Sequence, residues 1–141
     1  MKNQKSKQQI RIFILLNFSS LIAGISLFYL VKILQWPISY LLLEIVILAI
    51  FIISLIKAFI VTNSWKMVHT SPKNLDEREM TIVLNAIRYA YSIFTILCLV
   101  IIYVFAIGKY FQPIDVVLAS GLLYLAHMLP AAIIAWTEKV L

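Results

Sequence analysis

Charge is scarce in this 141-residue chain, where only 13% of residues are Asp, Glu, Lys or Arg, against about 25% in ordinary soluble domains. Glycine is scarce too, with three residues, and cysteine is limited to Cys98. A single cysteine excludes an intrachain disulfide and any dithiol redox pair. Acids number six against twelve Lys and Arg, and none precedes Glu44. No phosphate-cradling glycine loop, zinc motif or nucleophile elbow is present. What is abundant is apolar surface: 63% of residues are hydrophobic and the mean hydropathy is +0.99. That balance excludes a water-soluble globule and a disordered chain, and it turns the net charge of +6 toward membrane topology rather than nucleic acid.

A helix needs roughly 20 mostly apolar residues to cross a hydrocarbon core about 30 Å thick. Four stretches meet that length, at about 12–34, 38–61, 81–107 and 114–136. Each is continuously apolar, whereas a membrane barrel would show alternating segments of about 10 residues. The second stretch holds 17 Leu, Ile, Val and Phe residues, each favouring insertion by about 0.3–0.6 kcal/mol, against at most about 3 kcal/mol each for Glu44 and Lys57. The first stretch has a basic start like a signal peptide, but runs too long and ends in a poor cleavage site, so a retained helix is expected.

Placing both termini inside collects Lys2, Lys5, Lys7, Arg11, Lys57, Lys66, Lys73, Arg78, Arg88 and Lys139 on the cytoplasmic side and leaves only Lys32 and Lys109 outside. The positive-inside rule therefore predicts cytoplasmic termini in the inner membrane. Trp36, Tyr40 and Tyr110 then fall at the outer interface, Trp65 and Trp136 at the inner one. Short connections around 35–37 and 108–113, with one long polar loop at about 63–80, predict a single domain of four up-and-down helices, an all-α bundle.

The polar remainder is small enough to follow residue by residue. Asp76, Glu77, Arg78 and Glu79 form an acidic box before the third helix. Asn74 as cap and Glu77 three residues on read as a capping box, and acids suit the positive end of the helix dipole. The same box could also dock a cytoplasmic partner. On the third helix, Arg78, Thr81, Asn85, Arg88, Ser92 and Thr95 recur at spacings of 3, 4, 3, 4 and 3. Lipid offers such a seam no partners, so it should face the bundle interior or another subunit. The fourth helix has Ser120, Tyr124, His127, Ala131 and Ile134, with His127 near mid-membrane and Pro130 expected to kink the helix.

Glu44 lies about 10 Å inside the outer end of its helix, with Tyr124 or His127, or Lys32 and Lys109 from the outer rim, as its expected partners. A Glu44–His127 pair would be a proton-responsive element, and Glu44, Arg88, Tyr124 and His127 together make a candidate intramembrane polar site. On the first helix, Ser20-x-x-x-Gly24 and Ser19-x-x-x-Ala23 are small-residue spacings that allow close helix approach.

The box with Asn85, Arg88 and Tyr89 resembles a pattern, here covering 75–104, that recurs in small uncharacterised prokaryotic multi-helix membrane proteins. That resemblance implies a multi-helix membrane fold and carries no activity. The four-helix membrane glutathione-metabolism proteins are similar at Arg78 and Asn85, but have Glu where Arg88 stands. Thiol oxidases need a Cys-x-x-Cys, diheme cytochromes need several intramembrane histidines, and the small multidrug exporters need a Glu on the first helix. The inventory thus predicts a non-enzymatic membrane protein with no cofactor and no metal, acting as an accessory, sensory or immunity-type component. Its expected partners are the lipid bilayer and a second copy or another membrane protein, not nucleic acid. A small dimeric proton-linked transporter or channel using Glu44 and His127 is the alternative.

Overall fold

A computed structural model describes residues 2–107 and 115–138, and every regular element among them is a helix. In chain order these are α1 (Lys2–Ile33), a 3-10 turn (Ile38–Leu42), α2 (Leu43–Leu55) and a π-helical turn (Ile56–Ile60). They are followed by α3 (Ser64–His69), a 3-10 turn (Pro72–Asn74), α4 (Glu77–Ile107) and α5 (Val116–Thr137). Four segments are long and apolar enough to cross a membrane: Lys7–Ile33, Ile38–Ile60, Glu77–Ile107 and Val116–Thr137. Their outer surfaces are apolar, with Ile22 63%, Ile38 80% and Leu123 72% exposed. A monomeric soluble protein rarely presents so much contiguous apolar surface, whereas hydrocarbon solvates it. The fold is therefore an all-α, multi-pass membrane fold.

The chain divides into two compact units: Met1–Ser64 with Ala135–Leu141, and Trp65–Ile134. In the first, α1 and α2 form an antiparallel hairpin. The turn is a Schellman-type cap: the Trp36 amide donates to the Val31 carbonyl at 3.2 Å while Gln35 takes the left-handed conformation at φ 54°. Trp36 and Tyr40 pack ring on ring beside it, 5.2 Å between centroids.

The far end of the hairpin is closed by hydroxyls. The Val61 amide donates to the Ile56 carbonyl at 3.0 Å, one residue wider than an α-helical bond. This widening leaves terminal carbonyls that need other donors. The buried Thr62 hydroxyl donates to the Ala58 carbonyl at 2.7 Å, and the buried Ser64 hydroxyl donates to the Phe59 carbonyl at 3.4 Å. Asn63, at φ 57°, then reverses the chain; Asn is among the few residues that tolerate this conformation.

Two boundaries differ from the sequence expectation, each for a physical reason. The first helix begins at Lys2, well before the apolar stretch, since Lys and Gln are good helix formers in their own right. The basic residues on this extension also have structural work. The Lys7 ammonium donates to the Thr137 carbonyl at 2.8 Å and the Arg11 guanidinium to the Trp136 carbonyl at 3.3 Å. Arg11 also lies over the Trp136 ring at 4.9 Å. Cations thus satisfy the last carbonyls of α5, where the helix dipole favours positive charge.

The third spanning helix starts at Glu77 rather than near 81, because the capping box is Asp76 with Glu79, not Asn74 with Glu77. The Glu79 amide donates to Asp76 Oδ1 at 2.6 Å, and the Asp76 amide donates to Glu79 Oε2 at 3.3 Å. Asn74 instead closes the 3-10 turn that Pro72 opens, its amide donating to the Ser71 carbonyl at 2.9 Å. Asp115 caps α5, accepting from the Val117 and Leu118 amides at 3.1 Å each. Helix α5 continues through Pro130 to Thr137. The turn expected at 108–113, with Lys109 and Tyr110, and also Lys139, lie outside the described residues.

In the second unit, the polar loop is folded rather than free. Met67 of α3 is buried in a cluster with Val83 and Ala86 of α4 and Ile134 of α5, flanked by Val68, Leu75, Ile82 and Ile133. The start of α4 and the end of α5 meet in this cluster, so the two helices are antiparallel.

Candidate functional site

The first unit keeps its polar groups inside. Asn17 is fully buried, and its amide donates to the Phe51 carbonyl at 3.2 Å and to the Ser54 hydroxyl at 3.3 Å. Ser54 is also buried and donates to the same carbonyl at 2.9 Å. In hydrocarbon no water competes for these groups, so the pair fixes the register of α1 on α2. Asn17 is a buried polar position that the seams on the later helices do not include. Its signal was available: Ile10, Ile14, Asn17, Ser20 and Gly24 recur every three or four residues, the period of one helix face.

Ser20 and Gly24 do serve close approach, as their spacing suggested. Glu44, in the first turn of α2, is half-buried against this stripe. A Cβ at Gly24 would lie 3.2 Å from Glu44 Oε2 and 3.6 Å from Ile47 Cγ2. The other carboxylate oxygen, Oε1, is buried without a hydrogen-bond partner among the described residues. Nearer the termini, Gln9, Phe13, Lys57 and Val61 line an open groove of about 400 Å³.

The second unit turns its polar groups outward. On α4 the buried residues are Val83, Ala86 and Ala90, whose small side chains let neighbours approach. The seam of Thr81, Asn85, Arg88 and Ser92 is exposed, and Thr95 is half-exposed. Each of Asn85, Arg88 and Ser92 follows a buried residue by two positions, about 200° around the helix. Of the two expectations for this seam, the bundle interior is not met, since apolar Val and Ala fill the intramolecular contact and the polar residues point the opposite way; a contact with another subunit stays open. Two of them satisfy themselves, Thr81 donating to the Glu77 carbonyl at 2.8 Å and Ser92 to the Arg88 carbonyl at 3.1 Å. Asn85 and Arg88 make no side-chain hydrogen bond to any described residue.

The seam expected on α5 is displaced in the same manner. Ser120 is exposed and donates to the Val117 carbonyl at 2.8 Å. Tyr124 is half-buried and His127 exposed, while Gly121, Met128, Ala131 and Ala132 carry the buried stripe. Only Ala131 and Ile134 of the expected seam lie on it.

His127 belongs to a different constellation from the one expected. Its ring centroid lies 4.8 Å from that of Trp65 and 4.9 Å from that of His69. Trp65 and His69, at the two ends of one turn of α3, stack at 3.9 Å. Trp65 and His69 lie in the 63–80 loop and His69 is 58 positions from His127, so no local pattern joins the three. Of the other candidate polar residues, Glu44 lies in the first unit, and Arg88 projects outward from α4.

The acidic box is now divided by role. Asp76 and Glu79 are engaged in the cap, and Glu77 and Arg78 are exposed. No group of three or more His, Cys, Asp or Glu among the described residues is placed to hold a metal ion. Cys98 is a half-buried free thiol on α4. No family model matches this chain, and no curated protein and no solved structure matches it.

Proposed function

We propose that this is a non-enzymatic component of the cytoplasmic membrane, with both termini on the cytoplasmic face, that works by binding another membrane protein or a second copy through α4. The carrying observation is the exposed pair Asn85 and Arg88 on a membrane-spanning helix, with no partner among the described residues. Asn85 lies about 12 Å along the helix from Glu77 at 1.5 Å per residue. An amide at that depth is stabilised by a hydrogen-bonding neighbour that lipid does not provide. The loop at 63–80, with α3 packed on the spans and Glu77 and Arg78 exposed, would contribute the cytoplasmic part of the same contact. An accessory, sensory or immunity-type role follows from an inventory of packing residues without catalytic ones.

Purification from native membranes after mild cross-linking tests this. A discrete cross-linked species is expected, lost when Asn85 and Arg88 are both replaced by Leu. Recovery of the wild-type chain alone would contradict it.

Glu44 favours a second reading, a small dimeric proton-linked transporter or channel. A carboxylate with one buried, unpartnered oxygen beside a small-residue stripe is the kind of group that binds a proton or a cation in a membrane. Flux of cations or amines in proteoliposomes, lost in Glu44→Gln, would support it. No flux across such a panel, or full flux in the variant, would remove it.

A further inference from the structure

We propose that His69 and His127 form a two-histidine site for a divalent first-row transition-metal ion, with copper(II) the strongest binder. The inference is independent of the α4 interface, since it rests on one constellation inside the second unit. The two imidazoles come from the end of α3 and the middle of α5, and their centroids lie 4.9 Å apart with the ring planes at 63°. Two imidazoles bound to one ion through metal–nitrogen bonds of about 2.0–2.1 Å place their centroids about 5 Å apart at a tetrahedral angle. The observed separation matches that of two rings sharing one ion.

The orientation of His69 is also that of a ligand. Its Nδ1 lies 2.8 Å from the Trp65 carbonyl oxygen. A carbonyl only accepts, so Nδ1 carries the proton and the neutral ring keeps its lone pair on Nε2. Ligating histidines are held in this way, by a bond from the far nitrogen to a backbone carbonyl or carboxylate. Trp65 restricts both rings, stacked on His69 at 28° and edge-on to His127 at 71°. Both histidines are exposed, so the protein itself leaves further coordination positions open.

The identity of the ion follows from the donors. Two neutral imidazoles with water suit copper, nickel and zinc, and exclude calcium and magnesium, which require oxygen ligands. Affinity rises toward copper(II) in the divalent series. A bound ion would fasten α3 to α5 and so hold the 63–80 loop on the spans.

The test uses the full chain, purified in detergent without a histidine tag. Replacing Trp36 and Trp136 by Phe leaves Trp65 as the sole indole of the three in the sequence, next to both proposed ligands. Titration with CuCl2 or NiSO4 should quench its fluorescence saturably with one ion per chain, and Zn2+, which does not quench, should reverse the nickel effect by competition and the copper effect only in large excess. His69→Gln and His127→Gln should each remove the saturable component. Quenching that never saturates, or that survives either substitution, would overturn the proposal. A measurement on the unsubstituted chain guards against a folding defect in the variants. The electron paramagnetic resonance spectrum of the copper(II)-loaded protein should show two imidazole nitrogens, and fewer than two would overturn it.

Discussion

The α1–α2 hairpin and the α4–α5 pair solve the same problem in opposite ways. Both place polar side chains on helices long and apolar enough to span a membrane. The hairpin turns them inward: Asn17 meets Ser54, and Thr62 and Ser64 seal the π-helical turn. The second unit packs Val83, Ala86 and Ile134 around Met67 and leaves Asn85 and Arg88 on the opposite face of α4. A polar group inside a helix pair is a stabilising contact, whereas one on an outward face has no such contact within the described residues. The periodicity of a seam is identical in both cases; which way it points depends on which neighbouring face is smaller and better packed.

The largest expected effect concerns the outward face. Asn85→Leu with Arg88→Leu should abolish recovery of a cross-linked partner while leaving the unfolding transition of the purified chain within about 0.5 kcal/mol of wild type, as for outward-facing substitutions generally. Denaturation in detergent and cross-linking in membranes check the two halves. Asn17→Ala should do the reverse, destabilising the hairpin by about 1–2 kcal/mol. That figure combines a lost interhelical hydrogen bond, about 0.6 and at most about 1.7 kcal/mol in membranes, with a small cavity. Its partner recovery should match wild type where the chain is folded.

Smaller effects sharpen the local structure. Asp76→Ala should cost about 1 kcal/mol through loss of the α4 cap, while Asn74→Ala should cost almost nothing. Equal effects would return the cap to Asn74. Gln35→Gly should stabilise the α1–α2 turn by up to about 1 kcal/mol, because glycine adopts the left-handed conformation without the penalty Gln35 bears. The shift in unfolding midpoint reads both.

The four spans were legible in the sequence because length and hydropathy alone decide them, and their bounds agree within a turn except where α1 and α4 start earlier. Local chemistry explains those exceptions: a basic helical extension whose Lys7 and Arg11 meet the end of α5, and a box whose reciprocal partners are Asp76 and Glu79. The candidate site was less legible. The seam on α4 was visible as a period, but nothing in a period says that Ala86 and Ala90 are the better packing surface. Asn17 was hidden because a lone amide in an apolar run looks incidental until Ser54 is placed beside it. The Trp65–His69–His127 constellation could not be read, since its members are distant in the sequence and meet only through the folding of the 63–80 loop.

Site-specific photo-cross-linking in intact membranes tests the outward seam most directly. A photoreactive residue at 85 or 92 on α4 should form protein adducts, while the same residue at Ile53, an exposed apolar position on α2, should react only with lipid. Lipid adducts alone at 85 and 92, as at 53, would contradict the claim that α4 presents an interface.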